Sequence, residues 1–328
     1  MRNSVTPLKG GFIQLWTDPK MFQENTWQAV VGEMKELKMK TIVIQYMEIT
    51  SQDGQEQSFL PSLANGNVSP AALILAEANK HRIKVFLGLY NGRLSGDPSI
   101  TRRPGYLDEV RRRNRQLAKT ILELYGDQPS FHGWYIPTES WTGKYTEADV
   151  DAWNRFYKKT SNSLKRLSPK KKILISPFIS RRKERSSPSK TQQNYTRILA
   201  KTKIDFMALQ DGVGAGATSI DSPKIIRQHF KYMKRACQAN RIKLWGNIES
   251  FQKMSNPGED DRLVPARIAR FNKQNKIVST QVKKLITFDF FHYMNSKIVL
   301  DSNIWNATYV ERIQTLNRRY RRSIGLRS

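Results

Sequence analysis

A single (β/α)8 barrel, the TIM barrel of the α/β class, is the fold this 328-residue sequence predicts. Eight short apolar or β-branched runs alternate with segments of helical spacing, as in an α/β fold with a parallel sheet. No Pro-, Gly- or Ser-rich linker interrupts them, so residues 1–328 are expected to form one domain ending in a basic helix and tail. The connections after strands are longer than those after helices, as in a barrel whose C-terminal face carries function.

Phe12 to Trp16 is the first run, and Trp27, Val30, Val31, Met34 and Leu37 then recur at helical spacing. Thr41 to Met47 is continuous and β-branched, as a strand covered on both faces should be. The polar stretch Ser51 to Asn67 lacks periodicity and reads as a loop. Ser69 and Pro70 offer an N-cap and a first-turn proline to a helix reaching His81. Val85 to Tyr90 is the third strand, and after a loop Tyr106 to Tyr125 turns Val110, Leu117, Ile121 and Leu124 inward. Phe131 to Trp141 is the fourth strand, and Thr146 with Asp149 resembles a capping box for the helix that buries Trp153, Phe156 and Tyr157.

Lys172 to Phe178 is the fifth strand, followed by a basic loop, Arg181 to Lys190, and a helix around Tyr195. Asp205 to Gln210 is the sixth, and Ser222 with Pro223 caps and starts the helix of Ile226, Phe230 and Met233. Leu244 to Glu249 is the seventh, with a loop to Arg262 and a helix through Ile268 and Phe271. Leu285 to Phe291 is the eighth, running into His292 and Tyr293, and the last helix carries Tyr309, Ile313 and Leu316.

Composition excludes several classes. Hydrophobic content of 38% is too high for disorder. The one cysteine, Cys237, excludes an intramolecular disulfide and a cysteine-built metal site, and it reads as an ordinary helix-face thiol. No apolar run is long enough to span a membrane. No apolar leader region is visible as written, which leaves the compartment open, an exported mature form included. A net charge of +28, from 56 Lys and Arg against 28 Asp and Glu, attracts polyanions. Its basic runs, among them Arg111 to Arg115 and Arg318 to Arg327, are scattered, and no nucleic-acid-binding motif accompanies them.

Strand ends of a barrel converge on one pocket. They supply Gln14, Trp16, Gln45, Tyr46, Tyr90, Asn91, Thr138, Trp141, Gln210, Asp211, Asn247, His292 and Tyr293, with Glu139 closing the fourth strand and Glu249 the seventh. Aromatic faces stack on sugar rings, amides bond their hydroxyls, and two carboxyls on opposite sides of an anomeric carbon can cleave a glycosidic bond. Glu139 is expected to be raised in pKa by the charge of Glu249 and by the aromatics Tyr135 and Trp141. Arg93, Arg102, Arg103, Arg181 and Arg182 fall on loops of the same face and point to an anionic glycan. Gly212, Gly214 and Ala217 spell a dinucleotide fingerprint, but the next helix begins too late for one, so they read as rim glycines. The four histidines are too dispersed for a metal triad, and neither metal nor cofactor is expected.

A Glu closing the fourth strand and another closing the seventh resembles the large clan of retaining glycoside hydrolases built on (β/α)8 barrels. The strings GFIQLW, GWYIPTE, ALQDGVG, NIESF and FFHYMN, in this order, further resemble a bacterial family of glycosidase-like barrels carried as a domain of unknown function. The resemblance implies Glu139 as acid/base and Glu249 as nucleophile. Thr138 stands where the clan usually has an asparagine that bonds the sugar 2-hydroxyl. The alternatives are a barrel that binds a glycan without cutting it and a polyanion- or nucleic-acid-binding protein.

Overall fold

The computed structural model describes residues 5–61, 68–253, 263–301 and 305–326. The expected loop segments at 62–67 and 254–262, and Arg327 of the basic tail, lie outside the described residues. Strands β1 (Gly10–Ile13), β2 (Thr41–Ile44), β3 (Lys84–Gly88), β4 (Phe131–Ile136), β5 (Lys172–Ile175), β6 (Phe206–Gln210), β7 (Lys243–Glu249) and β8 (Leu285–Phe288) form one closed parallel barrel in chain order. Gly11 pairs with Thr287 to close it, while Gly10 pairs with Thr41 on the other side. Outside run α1 (Glu24–Glu36), α2 (Pro70–His81), α3 (Tyr106–Tyr125), α4 (Glu147–Leu167), α5 (Pro188–Ile198), α6 (Pro223–Ala239), α7 (Ile268–Ser279) and α8 (Ala307–Ser323).

Caps fix several helix starts. Ser69 accepts the Ala71 N–H ahead of Pro70, and Thr146 and Asp149 exchange bonds in a capping box. Ser222 makes no such bond, so at α6 Pro223 alone pre-sets the first turn.

Strand ends fall short of the apolar runs, for identifiable reasons. Pro137 and Pro177, lacking an N–H, follow close on the ends of β4 and β5. Beyond β8, Asp289 accepts the His292 N–H at 2.7 Å and caps a one-turn helix, Phe290–Tyr293. His292 and Tyr293 therefore lie on a helical turn, not at a strand end as the sequence suggests. Tyr90–Asn91 likewise leaves the barrel and pairs with a strand Glu48–Thr50, which pairs in turn with Glu56–Ser58. The stretch after Ser51 is thus part hairpin, its strands too short to show a period. A second hairpin, Phe251–Lys253 with Leu263–Pro265, follows β7.

Each strand contributes one side chain to a sealed interior layer: Phe12, Val43, Phe86, Tyr135, Leu174, Ala208, Trp245 and Ile286. The larger core lies outside it, where Trp27, Trp134, Trp153, Tyr157, Phe230 and Phe271 fill the space under the helices. Side chains alternate along a strand, so residues two positions from the sealed layer also face the axis. Towards the C-terminal ends these include Gln14, Gln45, Ser176, Gln210 and Asn247 beside Phe288, a largely polar floor above an apolar plug.

Candidate active site

Glu139 leaves β4 just past Pro137 and stands at the edge of that floor. Its Oε1 accepts from Gln210 Nε2 at 2.8 Å, and the Tyr135 hydroxyl donates to the same carboxyl. The second Gln210 N–H goes to the Ser176 carbonyl at 2.7 Å, and Asn247 Nδ2 donates to Ser176 Oγ at 3.2 Å. One polar network therefore spans β4 to β7. Burial pushes Glu139 up to about 7, while the bonds from Gln210 and Tyr135 pull it partly back. The rise comes from desolvation and not, as expected, from the charge of Glu249, and the Tyr135 hydroxyl opposes it as a donor. Trp141 packs on Tyr145, Trp153 and Phe178.

Glu249 ends β7 on the inward register of Trp245 and Asn247 and is 2% exposed. Its Oε2 accepts the Ala215 N–H at 2.8 Å from the loop after β6. That loop lies this close because Gly214 has no side chain; a Cβ there would meet Phe251 O at 2.3 Å and Glu249 Cβ at 2.8 Å. Gly212 turns the loop with φ +69°, a conformation that favours glycine. The glycines thus seat a backbone donor on a carboxylate.

Asp211, fully buried, faces the helix side and accepts from Val213 N at 3.1 Å and Gln274 Nε2 at 2.7 Å. Burial raises both Asp211 and Glu249, and the charge of Asp211 raises Glu249 further. Arg270 on α7 draws both back, although its own hydrogen bonds go to the Phe251 carbonyl at 2.6 Å and to Gln274 Oε1 at 2.8 Å.

Across the mouth, the Gln14 N–H donates to Asp289 Oδ2 at 3.1 Å, and the Tyr46 hydroxyl donates to the Leu15 carbonyl. Burial, then the charge of Asp289, pushes Tyr46 up to about 12. Asp289 Oδ2 also lies 2.7 Å from His292 Nδ1, and Trp16 packs against the imidazole at a tilt of 34° and a ring separation of 4.0 Å. Trp16 and Tyr46 line a cavity of about 420 Å³ with Thr17, Asp18 and Gln57. Tyr293 packs on Phe251 and Tyr309, its hydroxyl raised by burial.

Four of the expected site residues carry a buried polar atom with no protein partner: Gln45 Oε1, Thr138 Oγ1, Asn247 Oδ1 and His292 Nε2. Such atoms are costly to bury unless a water or ligand completes them. Tyr90 does not join the site, because its ring lies under Arg113 at 3.9 Å and its hydroxyl bonds Thr50 at 2.7 Å. Asn91 goes with it into the outer sheet. Arg102 lies 3.7 Å from Asp149, and Arg93 lines a separate cavity of about 470 Å³ with Gln52, Ser95 and Asp97.

Three contributors have weak sequence signals. Asp289 is legible only as an N-cap three residues before His292. Arg270 and Gln274 are polar residues one helical turn apart on a face that the periodicity assigns to the core. Among the described residues, no three His, Cys, Asp or Glu side chains are placed to hold a metal ion, and no helix is long and apolar enough to cross a membrane.

No curated protein matches the chain in sequence. Among solved structures it is similar to a Bacteroides thetaiotaomicron VPI-5482 protein provisionally described as an α-L-fucosidase, with TM-score 0.76 and 20% identity over 99% of this chain and 97% of that one. It is also similar to the β-galactosidase of the psychrophile Marinomonas ef1, with TM-score 0.54 and 12% identity over 97% of this chain and 60% of that one. At such identities the likeness is one of fold. A family model described as a domain of unknown function, DUF4434, matches residues 8–297, the whole barrel from before β1 to beyond β8, and the chain belongs to that family.

Proposed function

We propose that this protein hydrolyses glycosidic bonds, with Glu139 as general acid/base and Glu249 as nucleophile of a double displacement. The observation that carries the reading is Glu139: a carboxyl at the barrel mouth, held by neutral donors alone and keeping its proton to about 7. A general acid needs that property near neutral pH. The unpartnered atoms of Asn247, Gln45 and His292 supply hydrogen-bonding capacity for sugar hydroxyls, and Trp16 supplies an aromatic face. The similar barrels described as a fucosidase and a galactosidase agree in chemistry.

In the first step Glu249, which burial and the charge of Asp211 push up to about 8, reacts in its ionised form: the carboxylate attacks the anomeric carbon and forms a glycosyl ester as Glu139 gives its proton to the leaving oxygen. The N–H of Ala215 holds the attacking carboxylate in place. Water then attacks the ester, Glu139 takes its proton, and the sugar leaves with its configuration retained. Retention is tested by following the anomer first released by NMR. The roles are tested with aryl glycosides: E139Q should keep the first step only for activated leaving groups, whereas E249Q should lose it for all of them. Inverted product, or equal losses across leaving groups, removes this mechanism.

A glycan-binding barrel without catalysis is the second reading. The burial of Glu249 under the Gly214 loop favours it, because a nucleophile must reach the sugar. Retention of a glycan on the protein with no release of reducing ends selects it.

A further inference from the structure

The opposite end of the barrel carries a different pattern. Two residues below the sealed layer, the inward register falls on Lys84, Lys172, Lys243 and Lys284, from β3, β5, β7 and the residue before β8. Four lysines thus start towards one axis, and three of them, Lys84, Lys172 and Lys284, come close enough to act on His132 through their charge. Lys284 Nζ lies 3.6 Å from the centre of the Trp245 ring, which closes the barrel from below, and donates to Thr41 Oγ1 at 2.8 Å. His132 joins them where β4 shifts register against β3, its ring edge-on to Phe86 at 5.3 Å.

The countercharge is meagre. Asp205 is shared between Lys172 at 3.0 Å and Lys165 at 3.1 Å. Among the described residues, no carboxylate pairs with Lys84, Lys243 or Lys284. Burial, and then the neighbouring lysines, hold His132 down to about 4 and Lys284 down to about 8. Converging like charges destabilise a fold unless an anion relieves them. A cavity of about 410 Å³ opens beside Lys243, Trp245 and Lys284 on the side of α6, where Lys234, Cys237 and Val282 also line it.

We propose that the N-terminal end of the barrel is a binding site for a compact, multiply charged phosphate anion, separate from the carboxylate site at the other end. Lysines act as point charges on flexible stems, a form suited to phosphate. Their convergence on one axis fits a compact oligophosphate, whereas a nucleic-acid strand is tracked by a stripe or groove of charge. The inference does not depend on the glycosidase reading.

The test is calorimetric titration of the intact protein with sodium tripolyphosphate at fixed ionic strength. K84Q/K284Q should weaken binding by roughly a hundredfold, about tenfold for each charge-assisted contact removed. K183Q/K190Q, an equal loss of charge at two exposed positions elsewhere, one before α5 and one in its first turn, should change it less than about twofold. K243Q, at an exposed rim position with little to disturb in the core, should weaken it in the same direction as K84Q/K284Q. ATP should bind about as tightly as tripolyphosphate, since the triphosphate is what the site reads. Equal weakening by both double variants, no weakening by K243Q, or binding of ATP without tripolyphosphate overturns the site.

Discussion

Gln210 gives one amide hydrogen to Glu139 and the other to the Ser176 carbonyl, so the best-placed acid of the mouth is anchored by a neutral side chain and not by a cation. A carboxyl whose folded pKa is raised costs stability as pH climbs from its unfolded value towards its folded one. For Glu139 that window runs from 4.5 to about 7. E139Q should therefore be more stable than the parent at pH 8, by on the order of 3 kcal/mol, with the gap closing towards pH 4; urea denaturation at the two pH values reads it. On unactivated glycosides the same variant should lose about 10²- to 10⁴-fold in kcat. Asp211 raises Glu249, pushed up to about 8 and so above Glu139 at about 7, through its charge, so D211N should move the acid limb of the kcat/KM profile to lower pH and carry the pH optimum down with it. An unmoved acid limb would separate Asp211 from Glu249.

The loop after β6 is an element whose shape depends on one missing side chain. G214A places a Cβ against the Phe251 carbonyl and Glu249, so the loop must lift and the Ala215 N–H must leave the carboxylate. A cost of about 1–3 kcal/mol is expected from such overpacking, seen as a lowered melting temperature together with lost turnover. The eight barrel strands were legible because parallel strands covered on both faces are written as continuous apolar runs. Their ends were not, because Pro137, Pro177 and Asp289 stop strand hydrogen bonding without breaking the apolar run. Glu139 and Glu249 could be read as strand-end acids. Asp289, Arg270 and Gln274 could not, since their roles arise from a helical turn and a helix face meeting strands distant in sequence. Tyr90 misled for the converse reason: its strand breaks at Leu89, and the ring turns out to Arg113.

Over the whole molecule, closure ties the two ends of the chain together. The Leu8 N–H donates to the Tyr320 hydroxyl at 2.7 Å, and Asn317 reaches the Met294 carbonyl at 2.6 Å, so α8 is fastened to the start of β1 and the end of β8. We propose that the chain unfolds as one domain, with far-UV and tryptophan signals falling together on heating. Y320F leaves a buried N–H unsatisfied and should cost about 1–3 kcal/mol without shifting the two signals apart. The scattered basic surface resolves into at least one convergent feature, the lysines below Trp245, which alternation along strands exposes only once the barrel register is known. At the other end the central claim is that Glu139 and Glu249 cleave a glycan. Its most direct test is release of reducing ends from a panel of neutral and uronic-acid glycans by the parent, E139Q and E249Q. The account predicts release from at least one glycan by the parent and a fall of about a hundredfold or more in both variants; release by either variant at the parental rate on every cleaved glycan would contradict it.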